Sequence, residues 1–232
     1  GPVVPAVGAA ALIGGGALGT VTLPDVRTDA PVPMGAYLAP LRTPTGLVLG
    51  LGNMATFGFL MVAGTWYPGV LRGAGVPVTA TLVGFSLATV AGRAVGGRLS
   101  ERVGDRRTVL VSFVGSVVVL ALLALALRMG TPWLLAATIV GTGLGFGVPF
   151  GPLFALAFSE LADDAGVTLV AMILVGNVGA VVYPWLLGRT LLDTDSFALG
   201  FVAMAATVLA VALLWLSAIG TDAPTVTRPV SE

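Results

Sequence analysis

The chain holds few side chains that could do chemistry. It has no His and no Cys, and its 11 basic residues are all Arg, so it has no Lys either. These absences remove disulfides, thiol nucleophiles, haem ligation by His, the usual zinc sites and Schiff-base formation on an amine. No cofactor and no metal centre are expected. The 11 acidic residues are Asp25, Asp29, Glu101, Asp105, Glu160, Asp163, Asp164, Asp193, Asp195, Asp222 and Glu232, and each falls in a connection, a tail or the end of an apolar run. Ser and Thr are left without a base beside them, so the chain reads as a non-enzyme. Proton coupling usually needs an ionisable group buried in the pathway. No carboxylate here meets that need, so a proton-driven cycle would depend on residues outside this chain or on a charged substrate.

Polar groups inside an apolar run are costly and are therefore the default functional candidates. Asn53 lies about two turns into its run, placed either for substrate or gating contact or for a hydrogen bond between helices. Asn177, in Gly176-Asn177-Val178-Gly179, carries the same two readings. Trp66 and Tyr67 sit near the end of a run, where they serve as cavity contacts or as interface anchors of an aromatic belt. Tyr183, with Trp185 beside it, is placed in the same way. Arg93 is the one charge left within a run. It can pair with Glu101, extend its stem so that the charge reaches an interface, or contact an anion or a gate.

The densest charge is the stretch Gly97-Arg98-Leu99-Ser100-Glu101-Arg102-Val103-Gly104-Asp105-Arg106-Arg107, read as a tight turn between two runs. Gly97 would let two helices approach closely, and Gly104 would supply a positive φ for the turn. Glu101 can pair with an Arg or face a helix N-terminus, while the arginines stay in an anionic interface. On this physics alone the stretch is a topology anchor. Gly92 and Gly96, and the ladder Gly143, Gly147 and Gly151 followed by Pro152, mark close helix packing. The acidic run Glu160, Asp163, Asp164 is most simply a solvated connection.

These residues sit in a chain of 232 residues that is 56% hydrophobic and 9% charged, with a mean hydropathy of +1.02. A soluble domain carries about 25% charged residues, so the chain is read as a multi-pass membrane protein with the lipid bilayer as a partner. The charge is sparse and balanced, which leaves no basic surface for nucleic acid. Apolar runs predict seven spans at about 1–23, 46–70, 79–97, 108–127, 133–158, 168–188 and 196–219, since a helix needs about 20 residues to cross. A signal peptide is the rival for 1–23, but no basic residue precedes Arg27. Placing 24–45 in the cytoplasm puts seven arginines on that side and three on the other. The excess predicts a cytoplasmic C-terminus. The chain begins with Gly, not Met, and reads as a piece of a longer protein.

The stretch from Gly97 to Arg107 resembles the signature loop of the major facilitator superfamily, Gly-x-Leu-Ala/Ser-Asp-Arg-x-Gly-Arg/Lys-Arg/Lys. Gly97, Leu99, Ser100, Arg102, Gly104 and Arg106 match, and Arg107 extends the basic run. Glu101 stands where Asp is usual, and Asp105 reverses the charge of a basic position. Gly92-Arg93 leading into Gly96-Gly97, Gly176 to Ala180 with Pro184 and Gly188, and Ser196 to Phe201 are also similar to the second half of such transporters. The resemblance implies an all-α fold in which 1–23 is the last helix of the N-terminal half and 24–45 the central cytoplasmic loop. Residues 46–219 would then be the C-terminal six-helix bundle and 220–232 a cytoplasmic tail. It further implies that 46–70 and 133–158 line a central cavity, while 108–127 and 196–219 are peripheral. The glycine-rich character of the first pair and the bland Val, Leu and Ala content of the second agree with that. Span 1–23 should be peripheral on this register yet is rich in glycine.

The resemblance implies a secondary active transporter of the plasma membrane that moves a small molecule or ion by alternating access, completed by a missing N-terminal half. A truncated remnant that does not transport is one alternative. A seven-helix sensor is another, without the lysine that a retinal would need.

Overall fold

The computed structural model describes residues 33–161 and 165–218. The expected span 1–23, most of 24–45 and the tail 220–232 lie outside the described residues. A 3-10 segment, Met34–Arg42, leads into seven α-helices: α1 Pro44–Gly73, α2 Val78–Val103, α3 Asp105–Met129, α4 Pro132–Gly147, α5 Phe150–Glu160, α6 Ala165–Thr194 and α7 Phe197–Ala218. No strand occurs among the described residues. Taking α4 and α5 as one crossing, six segments are long and apolar enough to span a bilayer.

Local signals set the ends of these helices. Thr43 caps α1, its Oγ1 accepting from the Gly46 N–H at 3.1 Å, and Pro44 occupies the first turn, where its missing N–H costs nothing. Gly130 closes α3 in the left-handed region at φ 60°. The stretch read as a loop at 98–107 is instead almost entirely helical, because α2 runs to Val103 and α3 begins at Asp105. Gly104 alone makes the turn, at φ 87°, a conformation that costs glycine little. The span expected at 133–158 is two helices. Pro149 and Pro152 have no N–H, so the carbonyls of Gly145 and Val148 lose their helical partners and the ladder breaks between Gly147 and Phe150.

Lipid provides no hydrophobic drive between helices, so contact depends on how closely backbones can approach. α1 lies along α6, α2 along α4, and α3 along both α7 and α4. A Cβ on Gly58 of α1 would stand 2.7 Å from the Gly179 carbonyl carbon of α6, and one on Gly179 would stand 2.7 Å from the Met54 carbonyl oxygen. A Cβ on Gly92 of α2 would likewise stand 2.7 Å from the Leu144 carbonyl oxygen of α4, and one on Gly147 would stand 2.5 Å from the Thr89 carbonyl oxygen. Gly96 abuts the Val148 carbonyl and Gly143 the Phe85 carbonyl. Two glycines depart from their expected roles. Gly151, beyond the proline break, is exposed with nothing within 4 Å, since the break turns it off the face that Gly143 and Gly147 share. Gly97 is likewise open. One residue past Gly96 on a helix, it points about 100° away from the α4 contact.

Aromatic packing fills the centre. Phe59 of α1 stacks on Phe146 of α4 with ring centroids 4.0 Å apart. On the other side of the bundle, Phe113 of α3 meets Trp215 of α7 edge to face at 6.1 Å.

Candidate substrate site

Asn53, Arg93 and Phe150 belong to three helices but stand at one depth. Asn53 is nine residues from the start of α1, while Arg93 and Phe150 each lie ten residues before the ends of α2 and α5. At 1.5 Å per residue each is about 14–15 Å from the same end of the helical bundle. The continuation of α2 to Val103 carries Arg98 and Arg102 beyond Arg93, about 7.5 Å along the axis from Arg93 to Arg98.

A cavity of about 200 Å³ opens here, lined by Asn53, Phe57, Phe150, Phe154 and Ile173. The Arg93 guanidinium lies over the Phe150 ring, 4.3 Å from its centroid. Arg93 does not pair with Glu101, because eight helical residues separate the two by about 12 Å along the axis. Among the described residues every carboxylate, Glu101, Asp105, Glu160, Asp193 and Asp195, sits at a helix end or in a turn. The cation within the apolar stretch therefore has an aromatic face and no acid. A charged Arg inside a span costs up to about 2.5–3.5 kcal/mol to insert, and a cation–π contact returns about 0.5–2 kcal/mol. The remainder favours water or an anion beside Arg93.

Asn53 is 3% exposed. Its Nδ2 donates to the Met172 carbonyl of α6 at 2.8 Å, while its Oδ1 has no partner. The amide thus ties α1 to α6 and presents an acceptor, which a water or an N–H can satisfy and an anion cannot.

The remaining candidates are dispersed. Asn177 is exposed on α6 and does not line the cavity. Tyr67 is neither an anchor nor a cavity group. It is 0% exposed, its hydroxyl lies 2.9 Å from Thr142 Oγ1, and its ring meets Phe59, Phe85 and Phe201. Its place on the buried face of α1, with Phe59, Ala63 and Val70, puts it in the core. Tyr183 is also buried, its hydroxyl accepting from Thr207 Oγ1 of α7 at 3.1 Å. Trp66 stays at the far end, where its Nε1 donates to the Pro184 carbonyl at 3.0 Å and Trp185 stands exposed nearby.

At the charged turn, Ser100 Oγ donates to Asp105 Oδ1, and Thr108 Oγ1 donates to the Gly104 carbonyl at 2.8 Å. Asp105 falls in the first turn of α3, where its negative charge suits the positive helix end. Glu101 and Arg102 are exposed. Arg106 donates through Nε and Nη2 to Glu160 Oε1 at 3.1 and 2.5 Å, joining the start of α3 to the end of α5. Arg107 also has a partner in the structure. Glu160, read from sequence as solvated, is thus a structural partner. Its position at the end of a run, on the same side as the arginines, was the available signal. Phe57, Phe150, Phe154 and Ile173 were missed because aromatic and aliphatic residues in an apolar run carry no mark of a cavity.

Each member of the Arg106–Glu160 pair is 18% exposed, so the pair should be worth about 1 kcal/mol, the upper end for partly solvated pairs. The variants Arg106→Glu and Glu160→Arg should each lower thermal stability, and the double exchange should recover most of the loss. Additive losses in that double-mutant cycle would deny the pair its bridging role.

No family model matches the chain. Over 139 residues it is 34% identical to the probable nitrate/nitrite transporter NarK2 of Mycobacterium tuberculosis, found in two strains; the match covers 58% of this chain and 34% of that protein. The chain thus spans about a third of the length of the curated relatives it matches. The match, to a protein named as a probable transporter, and the six membrane-length apolar segments agree with the resemblance drawn from the sequence.

Proposed function

We propose that the chain is the C-terminal six-helix bundle of a major facilitator transporter that carries a small inorganic anion of the nitrate and nitrite class by alternating access. Residues 46–219 would form the bundle, 24–45 the cytoplasmic linker, and an N-terminal half the opposite wall of the pathway. The observation that carries this reading is Arg93, a cation with no carboxylate partner among the described residues, resting on Phe150 at the rim of the cavity. A guanidinium offers a planar fork to a planar oxyanion, while Phe57, Phe150, Phe154 and Ile173 supply an apolar wall beside it. Asn53 holds α1 to α6 behind the site and keeps a water there through Oδ1. Gly92, Gly96, Gly143 and Gly147 allow α2 and α4 to move as one layer, and the motif residues Gly97, Leu99, Glu101, Arg102, Gly104, Arg106 and Arg107 form the cytoplasmic gate region. The similarity to a probable nitrate/nitrite transporter supports the substrate class.

The test is uptake into proteoliposomes by the native-length gene product. Nitrate uptake above empty vesicles and competed by unlabelled nitrite is expected. Uptake of neutral sugars with no effect of nitrate would contradict the proposal.

A further inference from the structure

A second charged surface lies at the end of α2, away from the cavity. Of the described spans α2 is the least enclosed, with 17% of its apolar window buried against 67% for α1. Near its end Arg98 and Arg102 stand one turn apart, both exposed. With Val95 and Leu99 they line a shallow groove of about 180 Å³. Nearby charges are engaged elsewhere, Asp105 by Ser100 and Glu160 by Arg106. Neither Arg98 nor Arg102 has a hydrogen-bond or ion-pair partner among the described residues. Glu101 is the one carboxylate on this turn, and it is exposed, so the pair of arginines keeps a net positive charge.

Two arginine forks at the end of a span, above an apolar floor that continues up the exposed face through Ala91 and Leu87, match a ligand with an anionic head and a hydrocarbon tail. Guanidinium binds phosphate through paired hydrogen bonds. Basic residues where a span leaves the bilayer draw anionic lipid from that leaflet. We propose that this groove binds an anionic phospholipid of the phosphatidylglycerol type, its phosphate held across Arg98 and Arg102 and an acyl chain laid along Val95, Ala91 and Leu87. Inorganic phosphate would use the arginines and leave the apolar floor idle.

The experiment is native mass spectrometry of the native-length protein in detergent, titrated with phosphatidylglycerol or phosphatidylcholine. Wild type should prefer phosphatidylglycerol by about tenfold or more. The double variant Arg98→Gln/Arg102→Gln should lose that preference, Arg98→Lys/Arg102→Lys should keep most of it, and the opposite-end control Arg128→Gln/Arg189→Gln should keep all of it. An unchanged preference in the Gln pair overturns the proposal, as does displacement of the lipid by millimolar inorganic phosphate. If the Gln pair does not fold, labelling decides. This chain has no cysteine, so maleimide labelling of Arg102→Cys above that of the parent native-length protein reports that position. Labelling should be rapid in lipid-free detergent and suppressed by phosphatidylglycerol but not by phosphatidylcholine. Protection without any lipid would mean that polypeptide covers the groove and would overturn the proposal.

Discussion

Replacing Arg93 by Gln should abolish nitrate uptake by the native-length protein while leaving its amount in the membrane unchanged. The guanidinium is the one charge away from the helix ends among the described residues, stacked at 4.3 Å on Phe150. A hydrogen bond to a charged group is worth about 1.5–3 kcal/mol, and each 1.36 kcal/mol is a factor of ten, so binding should weaken by about 10- to 150-fold. Arg93→Lys retains the charge but loses the planar fork and much of the ring contact. It should recover less than about a tenth of wild-type affinity, because a point charge cannot hold two oxygens of one anion. Asn53→Ala should behave differently. It removes the bond to the Met172 carbonyl and should cost stability before it costs anion affinity. Wild-type uptake in Arg93→Gln would exclude Arg93 as the anion contact.

Gly96→Leu should be the most destabilising single change at the α2–α4 crossing. Its Cβ would collide with the Val148 carbonyl, a backbone group fixed by the break at Pro149, so α2 and α4 would have to move apart. Overpacking of this kind costs about 3 kcal/mol or more when no side chain can yield. Gly115→Leu on α3 is the matched control, since nothing lies within 4 Å of Gly115. There the better helix propensity of Leu should leave stability equal or raise it by about 0.5–1 kcal/mol. Thermal unfolding of the two purified variants, followed by size-exclusion chromatography, reads the difference directly. Equal melting of both variants would show that the α2–α4 contact is looser than described.

The crossings themselves were legible in sequence because each is an apolar run of membrane length, and their order follows without knowledge of packing. Gly104 was legible for the same reason, since a sharp reversal between two runs calls for a residue that tolerates positive φ. The lengths of the helices were not. Charges from Arg98 to Glu101 read as loop, yet a helix that leaves the bilayer can continue with its polar residues in water. The site was half visible: Asn53 and Arg93 stand out as polar residues in apolar runs, whereas their aromatic neighbours Phe57, Phe150 and Phe154 do not. Tyr67 and Tyr183 misled in the opposite direction. Position along a run suggested an aromatic belt, but the face of the helix decides exposure, and here both face inward onto Thr142 and Thr207.

The central claim is that an inorganic oxyanion binds beside Arg93 and Phe150. Equilibrium dialysis of labelled nitrate against the purified native-length protein tests it most directly. Saturable binding that nitrite displaces, that Arg93→Gln loses and that Gly115→Leu retains is the predicted result. Binding of equal strength in Arg93→Gln, or none in the wild type, would contradict it.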